Sequence, residues 1–303
     1  GIGAAQVVTA ILAMFIIGVL VSRKFCRPAS WVFSERLFEL FKKSLPLGMV
    51  GIMVIFYNRA NFTLVSLMAG DEAAGFYNAA FALMNGCFIF ATTIGSVFLP
   101  RLAALYNHDD KTFGNLYKTA YRYLLFFGLG MAFGTIMISL PLIQTLYSNK
   151  YSPSARPLMI LIWAAALMFP NALGQTLLIA RQANRQLVKM VSMAAIINVT
   201  LCLFLIPHFG YMGAASAMLA GEVFIWLYGL VLNREFLPLA QLGGYLWKGL
   251  LASLVMLVFI RLIHHASLGM VIAGGGFVYI AIMFVIKGLS LNDLNLFLKA
   301  AKR

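Results

Sequence analysis

The chain has 303 residues, 62% of them hydrophobic and 11% charged, with a formal net charge of +14. Ordinary soluble domains are about half apolar and about a quarter charged, so this surplus excludes a single soluble domain. A bilayer accommodates it, because a spanning helix needs about 20 mostly apolar residues.

That yardstick predicts an all-α, polytopic transmembrane helical bundle of about nine spans: 2–22, 45–69, 75–100, 122–146, 157–180, 188–206, 211–232, 247–264 and 268–286. After the first span, Trp31, Phe33, Leu37, Phe38, Leu40 and Phe41 share one helical side of the stretch 31–43. The charged residues of that stretch lie opposite, the pattern of an amphipathic linker helix in the headgroup plane. Ser44-Leu45-Pro46 then opens the next helix, where proline is tolerated in the first turn. Six closely coupled spans follow, and Pro238 with Gly243-Gly244 marks a break before the final two. The expected domains are 1–22, the linker 23–44, the bundle 45–235, and two further helices with a tail over 236–303.

Laying alternate loops on opposite sides puts 19 of the 23 basic residues on one side and Lys150, Arg156 and Arg261 on the other, with Arg59 inside a span. This is the positive-inside asymmetry. It makes the basicity an orientation signal rather than a nucleic-acid footprint, and it predicts a cytoplasmic C-terminus. It also makes the first span run from outside to inside. Together with a start at Gly1-Ile2-Gly3, this predicts a partial sequence with helices missing upstream. Cys26, Cys87 and Cys202 show no metal spacing, His264-His265 falls at a span end, and His108 and His208 fall in loops, so no metal site is expected. Every loop is short, so function resides within the membrane or at its faces.

Polar groups at membrane depth are costly and mark function or glue. Arg59 is the basic residue at depth and Glu222 the mid-span carboxylate. Thr63 and Ser66 follow Arg59 on its helical face, with Asn58 and Asn61 on the adjoining stripe. Asn78, Asn85, Thr92 and Ser96 recur at helical spacing in the next span, and Asn171 and Gln175 form an i, i+4 pair after a helix-kinking Pro170. Three polar stripes facing one wet cavity would make Arg59, Asn58, Asn61, Asn78, Asn85, Asn171 and Gln175 substrate-binding residues. The alternative is hydrogen bonding that merely joins helices. An Arg in such a cavity suits phosphate oxygens, which its planar fork meets bidentately. Lys118, Arg122, Arg181 and Arg185 at the inner mouth fix topology and would also attract a phosphorylated headgroup. Glu222 is a candidate coupling site for a proton or cation, a partner for Arg59, or a structural carboxylate. Neither catalytic constellation nor cofactor motif is present, and no enzyme activity is expected.

Several fragments in order carry a resemblance. They are Ser44-Leu45-Pro46, Asn58-Arg59-Ala60-Asn61, the run from Gly70 to Ala80, Leu99-Pro100-Arg101-Leu102 with His108-Asp109-Asp110, and Asn198 ahead of the run from Ile206 to Ala215. With these the chain resembles the C-terminal portion of the polysaccharide-transporter branch of the multidrug/oligosaccharidyl-lipid/polysaccharide (MOP) exporter superfamily, which includes O-antigen flippases. The resemblance implies two six-helix lobes around a central cavity. Span one would be the last helix of the first lobe, spans two to seven the second lobe, and the last two an added pair. It implies alternating access in a bacterial cytoplasmic membrane, a monomer, no cofactor, and an undecaprenyl-pyrophosphate-linked glycan as cargo. Many relatives carry Asp where Asn61 stands, so a carboxylate-dependent cation role does not transfer to that position. A multidrug/cation antiporter of the same superfamily and a peptidoglycan lipid-precursor flippase are the rival readings.

Overall fold

The computed structural model describes residues 59–106, 110–237, 239–263 and 265–290, with Leu12, Val19, Lys42 and Gly48 besides. The chain forms two compact units, Gly1–Pro46 and Leu47–Arg303, and every element below belongs to the second. Helix α1 covers 59–69. It is followed by α2 (Asp71–Leu105), α3 (Asp110–Tyr147), a 3-10 turn (Asn149–Ser154), α4 (Ala155–Ala180), α5 (Asn184–Phe209), α6 (Tyr211–Leu232), α7 (Leu239–Leu262) and α8 (Leu268–Val285). Among the described residues there is no strand, and seven helices, α2 to α8, are long and apolar enough to cross a membrane. The expected span 2–22, most of 45–69 and the linker helix lie outside the described residues.

The helices overrun the apolar runs that announce them. At 38 residues α3 is about 57 Å long at 1.5 Å per residue, nearly twice a hydrocarbon core of about 30 Å. Its first three turns are amphipathic instead of uniformly apolar. Phe113, Leu116, Tyr117 and Ala120 repeat at helical spacing and are buried, whereas Thr112 and Asn115 are exposed.

Turns between helices are tight. Gly70, at φ +90°, separates α1 from α2, its N–H donating to the Ser66 carbonyl at 3.2 Å while the Ser66 hydroxyl donates to the Asp71 carboxylate. Gly210, at φ +55°, reverses the chain between α5 and α6. Both conformations suit a residue without Cβ.

Helix α4 is the hub. It packs against α2, α3, α5, α6 and the 3-10 turn, and 72% of its most apolar window is buried, against 18% for α2. Small residues make this possible, because membrane helices associate through close packing. Ala164, Ala165 and Ala166 are buried on α4. A Cβ placed on Gly128 of α3 would lie 2.5 Å from the Ala166 carbonyl oxygen, and one on Gly95 of α2 would lie 2.9 Å from the Thr176 hydroxyl. Pro170 lies inside α4 and withholds the N–H that the Ala166 carbonyl, four residues earlier, would accept. The released carbonyl is the one that Gly128 approaches.

Helices α7 and α8 pack on α3 and on each other. Phe126, Ala252, Met256, Ile260, Val271, Tyr279 and Met283 form their own cluster. The Tyr279 hydroxyl donates to the Phe126 carbonyl at 2.7 Å. Large apolar side chains around the bundle, such as Phe90, Val97, Phe204 and Phe277, are more than 65% exposed. So continuous an apolar exterior belongs in lipid.

Candidate functional site

Two sets of polar side chains occupy the helices at membrane depth, one outside the packed interior and one within it. The outer set lies chiefly on α2, where Asn78, Asn85, Thr92 and Ser96 are exposed while Tyr77, Ala80, Met84 and Ala91 on the opposite side are buried. The hydroxyls are partly satisfied locally. Thr92 donates to the Phe88 and Ile89 carbonyls at 3.1 and 3.0 Å, and Ser96 to the Thr92 carbonyl at 3.0 Å. The two amides therefore offer the seam's free donors and acceptors. On α1, Arg59 and Thr63 are exposed too, Thr63 donating to the Arg59 carbonyl at 3.2 Å. Ser66 is instead engaged with Asp71 at the turn. Asn58 lies outside the described residues.

Asn61 belongs to the inner set. Two residues from Arg59, it is turned about 200° away on the helix and is fully buried. Its amide donates to the Tyr77 hydroxyl at 3.2 Å and to Met218 Sδ at 3.6 Å. Its Oδ1 accepts from Asn198 Nδ2 at 2.8 Å and from Cys202 Sγ at 3.4 Å. One side chain thus ties α1 to α2, α5 and α6. Buried amides need every bond matched, and here the matching side chains are amide, phenol, thiol and thioether, with no carboxylate in contact among the described residues.

Asn171 and Gln175 lie apart from the α2 seam. Asn171 is buried and its Nδ2 donates to Glu222 twice, to the backbone carbonyl at 3.1 Å and to Oε2 at 2.8 Å. Glu222, buried on α6, is thereby fastened to α4. Among the described residues no ion pair joins it to Arg59. Gln175 borders a space of about 10 Å³ with Tyr117, Tyr121, Trp226 and Asn233, roughly the size that holds one water. Trp226 Nε1 donates to the Tyr121 hydroxyl there at 2.7 Å.

Of the four basic residues expected at the inner mouth, Arg185 is exposed on the first turn of α5 and Lys118 is half-buried on α3. Arg181 joins the ends of α4 and α6. Its guanidinium lies 5.2 Å from the Phe236 ring centroid, donates to the Leu232 carbonyl at 3.5 Å and pairs with Glu235 at 3.7 Å. Arg122 stands over the rings of Tyr123 and Tyr245, at 5.3 and 5.9 Å, linking α3 to α7. The partners of Asn61 were not anticipated as a group. The one local signal was Asn198 with Cys202 at i, i+4 inside an apolar run.

With this geometry in place, comparisons with known proteins become informative. The model of a family described as polysaccharide biosynthesis protein matches residues 3–156, just over half of the chain. A protein of Shigella dysenteriae named "Putative O-antigen transporter" is 28% identical over 176 residues, covering 57% of this chain and 43% of that one. An uncharacterized membrane protein of Methanocaldococcus jannaschii is 22% identical over 281 residues, covering 87% of this chain and 54% of that one. The chain thus spans about half the length of the curated relatives it matches. Among solved structures, the lipid II flippase MurJ in an inward closed conformation shares the fold at a TM-score of 0.70, with 17% identity over 92% of this chain and 65% of that one.

Proposed function

We propose that this chain, which belongs to the polysaccharide biosynthesis protein family, supplies one lobe of a transporter that flips lipid-linked oligosaccharide across the cytoplasmic membrane. The observation that carries the reading is the exposed polar seam of α2, which shares the outer side of that helix with Ile89, Phe90 and Val97, together with Arg59 exposed on the adjoining helix. Polar side chains left bare at membrane depth call for water or a polar partner. A second lobe, from sequence beyond this chain, would enclose them in a shared cavity. Arg59 then holds the pyrophosphate of the carrier lipid through bidentate hydrogen bonds, and Asn78 and Asn85 meet sugar hydroxyls. Asn58 would extend the same face.

Asn61, Asn171 and Gln175 act in this reading from inside the lobe, setting the helix positions that present the seam. No covalent bond is made or broken, and alternating access exposes the cavity to each side in turn. Glu222, fastened by Asn171, is the candidate for coupling to a proton or cation. Lys118, Arg122, Arg181 and Arg185 would gather the anionic headgroup at the cytoplasmic leaflet, with the C-terminal tail on the same side. The monomer is the proposed unit.

The test places the full-length parent gene in a host lacking its own flippase and compares Arg59 with Arg59→Ala and Arg59→Lys. Surface glycan is expected to fall at least tenfold in Arg59→Ala at unchanged protein level, with lipid-linked precursor accumulating inside, and partly to recover in Arg59→Lys. Normal export by Arg59→Ala would overturn the phosphate role. Rescue of a host that lacks its peptidoglycan-precursor flippase, without glycan export, would move the assignment to that cargo.

A further inference from the structure

An apolar opening lined by α3, α7 and α8 includes no residue of the α2 seam. It has a volume of about 650 Å³ and adjoins a second opening of about 670 Å³ through the shared residues Ile138, Ile260 and Val271. The first opening runs along α3 from Tyr123 to Ile138, about 22 Å at 1.5 Å per residue, which exceeds the roughly 15 Å hydrocarbon depth of one leaflet. Its volume falls within the range of about 300–1,000 Å³ usual for small-molecule sites.

Glycines shape it. At Gly130 and Gly275 a Cβ would meet the Tyr279 ring at 2.8 Å and Ile260 at 3.0 Å, so these positions seat the walls. At Gly276 a Cβ would find nothing within 4 Å, so that position faces open space.

One end of the slot is cationic. Tyr123 and Leu289 line that end. Arg122 stands over Tyr123 and Tyr245, and Lys248, one turn beyond Tyr245, donates to the Lys287 carbonyl at 3.0 Å. Tyr123 donates in turn to the Ser290 carbonyl at 3.4 Å. Arg122 thus stands beside Tyr245 near that end, Lys248 reaches the turn that carries the exposed Lys287, and residues 239–290 include no carboxylate.

We infer that this slot binds one anionic phospholipid of the surrounding bilayer, with acyl chain in the apolar slot and phosphate against Arg122, Lys248 and Lys287. Charge complementarity selects an anionic headgroup, since basic residues at a membrane surface attract such lipids. Position selects a bilayer lipid over the transported one. The slot's walls come from α3, α7 and α8 and none from α4 or α2, although Met131 on its α3 wall reaches Cys87 of α2.

The test reconstitutes the purified chain in nanodiscs of dioleoylphosphatidylcholine with one-tenth dioleoylphosphatidylglycerol, then counts retained lipids by native mass spectrometry after mild extraction. One phosphatidylglycerol per chain is expected, enriched about tenfold over the mixture. Gly276→Leu fills the slot and is expected to lower retention at least fivefold at unchanged thermal stability. The double variant Lys248→Gln/Lys287→Gln is expected to retain a lipid and lose the preference for phosphatidylglycerol, which keeps the proposal testable if Gly276→Leu misfolds. Retention of no lipid, or equal retention by Gly276→Leu, would overturn it. One-for-one displacement by undecaprenyl phosphate would also overturn it, giving the slot to the cargo.

Discussion

Replacing Gly128 by alanine tests the hub directly. The added Cβ would lie 2.5 Å from the Ala166 oxygen and 3.1 Å from both the Ala166 carbonyl carbon and Cα. Ordinary carbon–oxygen contacts start near 3.3 Å, so α3 and α4 must separate by about 1 Å. Both neighbours are backbone, and no rotamer change relieves the clash. Overpacking of this kind costs about 1–3 kcal/mol, and alanine returns about 1 kcal/mol of helix propensity. Losing the close C–H···O approach removes a further ~0.5–1 kcal/mol. The net expectation is a destabilisation of about 2 kcal/mol. Gly114 provides the control on the same helix, because a Cβ there meets nothing within 4 Å. Gly114→Ala should stabilise by about 0.5–1 kcal/mol through propensity. Equilibrium unfolding in mixed micelles titrated with dodecyl sulfate reads both variants, with Trp163 and Trp226 as reporters. Equal shifts for the two variants would refute the close-packing argument.

The Asn61 cluster makes a second prediction. Asn198→Ala leaves Asn61 Oδ1 with the Cys202 thiol as its remaining donor and should cost about 1–2 kcal/mol in the same titration. The double change Asn61→Leu/Asn198→Leu should cost less than the sum of its parts, since removing both partners leaves fewer orphaned groups. Just beyond α6, Glu235, the partner of Arg181, is largely exposed, so Glu235→Ala should shift unfolding by less than about 0.5 kcal/mol. Arg181→Ala should shift it more, because it also removes the contact with the Phe236 ring and the bond to the Leu232 carbonyl.

Apolar runs announce helices well, and α4, α6 and α8 begin and end within about three residues of the expected spans. The misses are physical. Helix α3 starts at Asp110 and not near 122, because Thr112–Tyr121 is amphipathic and rests on the bundle without being uniformly apolar. Asn171 and Gln175 read as a cavity-facing pair, since i, i+4 spacing says which residues share a face but not what that face meets. Helix α4 is enclosed by neighbours, and the clue was its run of Ala164, Ala165 and Ala166 with Gly174, small on several sides at once. Asn61 was singled out as polar and deep, yet its partners lie 16 to 157 residues away, and no local pattern encodes such distances. Spacing likewise put Asn78 and Asn85 on one face of α2, and only the structure shows that face to be exposed.

The bond between Asn171 and Glu222 also sets a timetable for synthesis. The two residues are 51 positions apart, so at 5–20 residues per second the carboxylate emerges roughly 3–10 s after the amide it will meet. During that interval α4 already has α2 and α3 to lean on, while its Asn171 side awaits α6. Either lipid or the insertion machinery must shelter an uncommitted amide, and afterwards an acid arriving in an apolar helix. The hairpin turn at Gly210 shortens that exposure, because α6 can follow α5 into the membrane at once and close the last open flank of the hub.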